Sequence, residues 1–254
     1  MKIIQISLTL LVLAACTAQK PNSEADTQAT NEWTIIESEG MYGLLDHNGK
    51  EIVPPRYDTI MPFDVYRKNW AMVEINNYCG FVNIDGKSVV KVQYDEIQPF
   101  DEYLNGWAMV QQAEYYGFID ARGKEVVRCM YNAIDPFDEY LIGWAKVECD
   151  GRFGFIDKKG NVVVEPRYEK IEPFGEYQNS WAMIRTGGYV GFINDEGEEI
   201  VKPNYDKVHP FGEFNENWAM IEVGNYLGFI DATGKEIVHP IYNSIEEYTS
   251  ASDN

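Results

Sequence analysis

Short apolar stretches separated by turn residues recur along most of the chain at an interval of 37 residues. Each copy opens with a tryptophan, at Trp33, Trp70, Trp107, Trp144, Trp181 and Trp218. At fixed distances after it come a glycine, a second glycine, a valine and a tyrosine, as at Gly80, Gly86, Val90 and Tyr94. A fixed period of this length is the mark of a repeat protein, so the chain contains six copies of one structural unit.

Within each unit the pattern of apolar residues predicts three β-strands. In the sixth copy these are 218–222, 226–231 and a longer stretch over 235–245 that contains Pro240. Every stretch is short and rich in β-branched and aromatic residues, and none keeps a helical period over two turns.

Turn residues connect the predicted strands. Asp or Asn followed three positions later by glycine, as in 157–160, indicates a type I turn whose last residue is left-handed, a conformation that favours glycine. The prolines of the third strand, such as Pro166 and Pro203, lack an N–H, so we expect that strand to bend or to lie at a sheet edge.

Adjacent apolar pairs such as Val89-Val90 place hydrophobic side chains on both faces of each sheet, so neighbouring units must stack to cover them. We therefore predict an all-β fold of six three-stranded antiparallel units stacked as an open, solenoid-like array. A six-bladed, propeller-like ring is the alternative. Units one and six depart from the pattern at Thr34-Ile35 and Glu247, which we interpret as caps.

The motif Gly-Phe-Ile-Asp-x-x-Gly-Lys, followed by Tyr-Asp-x-Ile-x-Pro-Phe, resembles the WG-repeat family of bacterial β-repeat proteins. The resemblance covers residues 33–248. The residue before the first glycine of each unit is not tryptophan here, and tryptophan opens the unit instead. The resemblance implies an exported all-β repeat protein. It supplies no shared enzymatic activity or ligand.

The N-terminus carries a targeting signal. Lys2 precedes an apolar run over 3–13, which is too short to span a membrane and has the length of a signal-peptide core. Leu13-Ala14-Ala15-Cys16 resembles the bacterial lipobox, which implies cleavage before Cys16 and lipidation of that cysteine, typically with palmitate. The predicted organisation is a signal peptide (1–15), a lipidated cysteine with a flexible tether (16–30), the repeats (31–248) and a disordered tail (249–254).

The net charge of −20 repels phosphate backbones, so nucleic-acid binding is excluded as a function class. We expect the protein to meet the membrane through its lipid only. It would be a monomer in the cell envelope, at the outer membrane or cell surface rather than the inner membrane.

No catalytic residue set is found. His47, His209 and His239 fall at unrelated positions of the repeat and match no metal-ligand or nucleophile pattern. Cys79 and Cys129 occupy apolar positions and are interpreted as buried thiols, whereas Cys149 is the best candidate for an exposed one. A disulfide between Cys129 and Cys149 is left open.

Acidic and aromatic residues follow the Pro-Phe pairs and define a candidate binding rim. Its members are Asp101, Glu102, Tyr103, Asp138, Glu139, Tyr140, Glu176, Tyr177, Glu213 and Phe214. A solvated acidic edge is one reading. Binding of calcium, or of a cationic or sugar ligand, is the other. The tryptophans are expected to be core residues rather than exposed platforms for sugars.

These observations favour a non-catalytic, membrane-anchored scaffold that binds another envelope protein. The alternative is a polysaccharide-binding module of the envelope, motivated by the tryptophan and tyrosine content.

Overall fold

The computed structural model describes residues 33–178 and 180–246. All regular structure in these residues is β-strand, arranged as one three-stranded and five four-stranded antiparallel sheets that do not close into a barrel. The sheets follow one another along the chain, and this confirms the predicted all-β array of six units.

Three strands of each unit match the sequence pattern. The tryptophan strands are β1 (Thr34–Ser38), β5 (Trp70–Ile75), β9 (Trp107–Gln112), β13 (Trp144–Cys149), β17 (Trp181–Thr186) and β21 (Trp218–Val223). The glycine strands are β2 (Met41–Leu45), β6 (Tyr78–Asn83), β10 (Tyr115–Asp120), β14 (Arg152–Asp157), β18 (Tyr189–Asn194) and β22 (Tyr226–Asp231). The third strands are β3 (Glu51–Tyr57), β7 (Ser88–Tyr94), β11 (Glu125–Tyr131), β15 (Val162–Tyr168), β19 (Glu199–Tyr205) and β23 (Glu236–Tyr242).

A fourth, two-residue strand corrects the prediction of three strands per unit. These linking strands are β4 (Thr59–Ile60), β8 (Glu96–Ile97), β12 (Ala133–Ile134), β16 (Lys170–Ile171) and β20 (Lys207–Val208). The predicted third strand ends at its tyrosine, and the chain then crosses to pair with the tryptophan strand of the next unit. Thr59 pairs with Glu74, and Ile60 with Val73. Each unit thus completes the sheet of its successor.

The third strand lies at the outer edge of every sheet, a position in which proline is tolerated. It also passes very close to the glycine strand. A Cβ built on Gly117 would lie 2.4 Å from the Val127 carbonyl oxygen and 2.7 Å from the Cys129 nitrogen. Only glycine therefore fits at this position, and the pairing of the two strands is interrupted there by a bulge.

Each sheet has two apolar faces. The far face is turned toward the following sheet and, in the second sheet, carries Trp70, Met72, Phe81, Val90 and Tyr94. The near face is turned toward the preceding sheet and, in unit three, carries Ala108, Val110 and Ile119. A far face and the next near face form one hydrophobic layer, and five such layers hold the six sheets together.

The two ends of the array differ from its interior. Thr34 and Ile35 are exposed on β1, and Trp218 and Tyr242 are exposed on the last sheet. Glu247 lies outside the described residues. The described far-face positions of unit six hold the same residue types as those of the interior units, including tryptophan, valine and tyrosine.

Candidate binding edge

The Pro-Phe loops connect each linking strand to the tryptophan strand that it joins. The residue after phenylalanine donates its N–H to the carbonyl oxygen of that tryptophan, as from Asp101 to Trp107 at 2.9 Å. It has a positive φ in all five loops, at Asp64, Asp101, Asp138, Gly175 and Gly212. Aspartate and glycine are among the residues that tolerate this conformation, which explains why they share the position.

The rim aspartates shape these loops. One carboxylate oxygen of Asp101 accepts the Gly106 N–H at 2.5 Å, and Asp138 accepts the Gly143 N–H at 2.5 Å. The second oxygen of Asp138 lies 2.6 Å from the Lys158 ammonium, which, with the Gly143 N–H, holds the pKa of this carboxyl below its usual value. From sequence, these aspartates were either part of a solvated acidic edge or ligand groups, and neither interpretation includes this structural role.

The rim aromatics anchor the loops to the sheets. Tyr103, Tyr140, Tyr177 and Phe214 are half-buried. Their rings pack edge-on against the core phenylalanines Phe118, Phe155, Phe192 and Phe229, with centroids 5.8, 6.0, 5.2 and 5.4 Å apart. Edge-to-face packing of this kind stabilises the loop position and leaves only part of each ring for a ligand.

The rim glutamates are exposed and recur at one position of the repeat. Glu102, Glu139, Glu176 and Glu213 are exposed, one in each of four successive loops. Glu213 lies 3.6 Å from the imidazole of His209, which also contacts Glu222 at 2.5 Å. We call these four residues the glutamate row.

In the described residues, no three His, Cys, Asp or Glu side chains are grouped closely enough to hold a metal ion. The clefts between neighbouring units are open. One of about 340 Å³ lies beside Tyr103 and is lined by Met109, Tyr116 and Asn132. This edge is therefore a surface on which the same groups recur from unit to unit.

A second row of exposed groups lies at the opposite end of the sheets. Tyr78, Tyr189 and Tyr226 begin glycine strands and are 46%, 45% and 48% exposed, and Tyr115 stands at the same position. Met41 and Arg152 occupy it in the other units. This tyrosine row was not predicted from the sequence, although its four members lie at the same distance after the tryptophans of their units.

The tryptophans belong to the hydrophobic layers, as expected. Trp70 contacts Phe81 of its own sheet and Phe100 of the following loop, at centroid distances of 5.5 and 5.9 Å. The other interior units repeat this arrangement. The indoles therefore form no exposed row for sugar stacking.

The three described cysteines are free. Cys79 is buried, and Cys129 and Cys149 are partly buried. Cys129 packs in the layer between sheets two and three, and Cys149 in the layer between sheets three and four. The structure thus contains no disulfide between Cys129 and Cys149, which sequence analysis had left open.

The predicted signal peptide, Cys16 and the tether lie outside the described residues, as does the tail after 246. Among the residues that the structure does describe, no helix is long and apolar enough to cross a membrane.

Several solved structures are similar to the chain at low sequence identity. A eukaryotic initiation factor is 10% identical, with a TM-score of 0.31 over 85% of this chain and 65% of that one. Dihydro-heme d1 dehydrogenase NirN is 13% identical, with a TM-score of 0.29 over 88% and 56%. Kluyveromyces lactis Hsv2 is 10% identical, with a TM-score of 0.26 over 87% and 81%. The chain thus spans less than two thirds of the first two, and scores this low assign neither an architecture nor a function.

No curated protein matches the chain. The model of the WG containing repeat matches six times, over 42–79, 80–115, 116–152, 153–189, 191–226 and 228–250. These matches cover nearly all of the repeats, and they agree with the resemblance found in the sequence. The chain belongs to the family of proteins built from the WG containing repeat.

Proposed function

We propose that this protein is a lipid-anchored scaffold of the bacterial cell envelope that binds another envelope protein and catalyses no reaction. The observation that carries the proposal is the glutamate row. Four loops whose other residues build the fold each present one exposed glutamate at the same position. A charge repeated in this way suits a partner that is itself extended and carries positive charge.

The spacing of the row supports an extended partner. Packed sheets lie about 10 Å apart, and three residues of an extended chain also span about 10 Å. A basic residue at every third position of a partner segment would therefore meet successive glutamates. Salt would weaken such a contact, because the charges are exposed.

The test is affinity capture from solubilised envelope with residues 17–254 as bait. Replacing Glu102, Glu139, Glu176 and Glu213 by glutamine should abolish capture of the partner. The matched control replaces four exposed acids outside the row, Asp85, Glu114, Asp195 and Glu196, by their amides, and it should capture normally. Equal capture by both variants, or equal loss, would refute the glutamate row as the binding surface.

The anchor has its own test. A fatty-acid analogue fed to cells that express the chain should label it, and Cys16→Ser should remove the label and release the protein from the membrane fraction. Cys16 stands directly after Leu13-Ala14-Ala15, the sequence that supports lipidation. Labelling that persists in the Cys16→Ser variant would contradict the assignment.

Polysaccharide binding is the second candidate, and the tyrosine row favours it. Exposed aromatic rings at a regular spacing can stack on sugar rings, whereas the tryptophans of the interior units pack inside the hydrophobic layers. A glycan array should then show binding that is lost when Tyr78, Tyr115, Tyr189 and Tyr226 are replaced by alanine. Binding that survives these changes would leave the tyrosine row without a role in glycan recognition.

A further inference from the structure

In the part of the chain that the structure describes, no further sheet packs on the far face of the sixth sheet. In the fifth sheet Trp181, Val201 and Tyr205 are 6%, 3% and 9% exposed, because the sixth sheet packs on them. Their counterparts Trp218 and Tyr242 are 38% and 51% exposed, and Val238 is half-buried. The last unit therefore carries the side chains of an internal contact without the sheet that would complete it.

The first sheet lacks the complementary element. It has three strands, whereas each of the other five gains a fourth from the preceding unit. The linking strands pair with fixed positions of the tryptophan strand, as Thr59 does with Glu74 and Ile60 with Val73. The matching positions on β1 are Glu37 and Ile36, and no linking strand pairs with them in the described residues.

The end of unit six supplies the missing piece. Ser244 and Ile245 stand at the positions of Thr59 and Ile60 in the repeat, beyond the last strand. In the register of the five internal contacts, Ser244 would pair with Glu37 and Ile245 with Ile36. This pairing opposes no like charges, and it adds a strand to an exposed sheet edge.

The turn of the first unit also has room for a preceding sheet. A Cβ on Gly86 would lie 2.2 Å from the carbonyl oxygen of Ile52 in the preceding unit, and the corresponding glycines of units three to six are similarly crowded. Gly49 has the same positive φ, but nothing lies within 4 Å of its Cβ position. The place that Ile52 takes against Gly86 is thus open at Gly49, and Ile237 is the counterpart of Ile52 in the sixth unit.

We infer that copies of this chain associate head to tail, with the far face of the sixth sheet of one copy packed on the near face of the first sheet of the next. The contact repeats the internal one between units. Because the two surfaces differ, the association is heterologous and extends into a chain of copies. It replaces the monomer expected from sequence and is independent of the glutamate row.

The test uses residues 17–254, which include the whole compact unit 33–254. Light scattering or sedimentation should show a mass that rises with concentration through dimers to longer species. Added salt should promote the association, since each copy is strongly acidic. A monomer at all concentrations and salt levels would overturn the proposal, whether the end face is then covered by residues 247–254 or left free.

Two variants block one end each. Gly49→Asn places a side chain where the next copy would pack, and asparagine tolerates the positive φ, so the fold should persist. Tyr242→Glu places a charge on the exposed far face. Each variant alone should be monomeric. Their equimolar mixture should form 1:1 dimers and nothing longer, because one intact head and one intact tail remain.

Matched controls carry the same chemical changes elsewhere. Gly143→Asn changes another open glycine with positive φ, and Ile142→Glu changes an apolar residue that is 87% exposed. Both should associate like the unaltered chain. Dimers of Gly49→Asn by itself would indicate tail-to-tail contact instead, and a monomeric mixture would show that the two ends do not meet; either result overturns the proposal.

Discussion

The carboxylate of Asp95 accepts a hydrogen bond at 2.5 Å from the backbone N–H of Ala113, across the junction between units two and three. Ala113 has a φ of 55°, in the left-handed region that costs an alanine about 1 kcal/mol. The same contact recurs where the side-chain oxygens of Asp58, Asn132 and Asp206 accept hydrogen bonds from the backbone N–H groups of Asn76, Asp150 and Gly224, respectively. These polar side chains therefore tie each hairpin turn to the preceding unit.

Asp95→Ala should lower the free energy of unfolding by about 1 kcal/mol, because it leaves a strained turn without its acceptor. Asp95→Asn should recover most of the loss, since Asn132 fills the same role in unit three. Urea denaturation of both variants measures the difference. Asp195→Ala, at an exposed turn position, is the control and should change little.

Gly117→Ala should destabilise the protein severely, by about 3 kcal/mol or more, because its Cβ would lie 2.4 Å from a backbone oxygen that cannot move away cheaply. Gly143→Ala should cost only about 1 kcal/mol, the price of its positive φ in open space. Thermal unfolding of the pair separates steric exclusion from backbone strain. Equal losses would contradict the close approach of the third strand to the glycine strand.

The turn carboxylate of Asp231 links stability to pH. The Thr233 hydroxyl, at 2.6 Å, and the N–H groups of Thr233 and Lys235 hold its pKa below the usual value of 3.8. A carboxyl group whose pKa is lower in the folded than in the unfolded protein stabilises the fold at pH values above its unfolded-state pKa. This stabilisation is lost as the pH falls through the pKa of the folded state. Asp231→Asn should be nearly neutral at about pH 7, as Asn83 and Asn194 occupy this position, and should flatten the loss of stability below about pH 4. An unchanged acid profile, measured by urea denaturation, would count against this role.

The thiols should differ in reactivity. Burial, followed by the charge of Glu74, raises the pKa of Cys79 to about 11, and burial with Glu125 raises that of Cys129 to about 11. The thiolate is the reactive form, so at about pH 8 both should alkylate roughly 100-fold more slowly than a free thiol. Burial and the charge of Asp150 also raise the pKa of Cys149, but by less, so Cys149 should react first. Peptide mapping after timed alkylation measures the order.

The same thiols should make the free energy of unfolding fall at alkaline pH. A thiol with a raised folded pKa stabilises the fold below its unfolded pKa, near 9, and this stability is lost as the pH rises toward the folded value of about 11. Replacing Cys79 by alanine should make the decline in unfolding free energy over this interval shallower, whatever its effect at neutral pH. A decline of unchanged steepness would show that Cys79 does not contribute.

Much of the fold could be predicted from the sequence because its signals are local. The tryptophan spacing identified six units, and the alternation of apolar residues identified three strands in each. The glycine of each Asp-x-x-Gly turn is required by a positive φ within the same four residues, as at Gly160. The prolines of the third strand indicated an edge. Each of these inferences needs only a few neighbouring residues and the geometry of the backbone.

The tertiary structure alone decided where the linking strands pair and what the acidic residues do. Thr59 and Ile60 are too short a segment to carry a pairing signal, and their partners Glu74 and Val73 belong to the next unit. From the sequence, the Asp101 carboxylate could be available to a ligand. In the structure, one of its oxygens accepts a hydrogen bond from the backbone N–H of a glycine five residues away. Tyr78 and Tyr94 are both tyrosines, yet Tyr78 is 46% exposed and Tyr94 only 2%, because Tyr94 packs in the hydrophobic layer between the second and third sheets, and this packing depends on how the units stack.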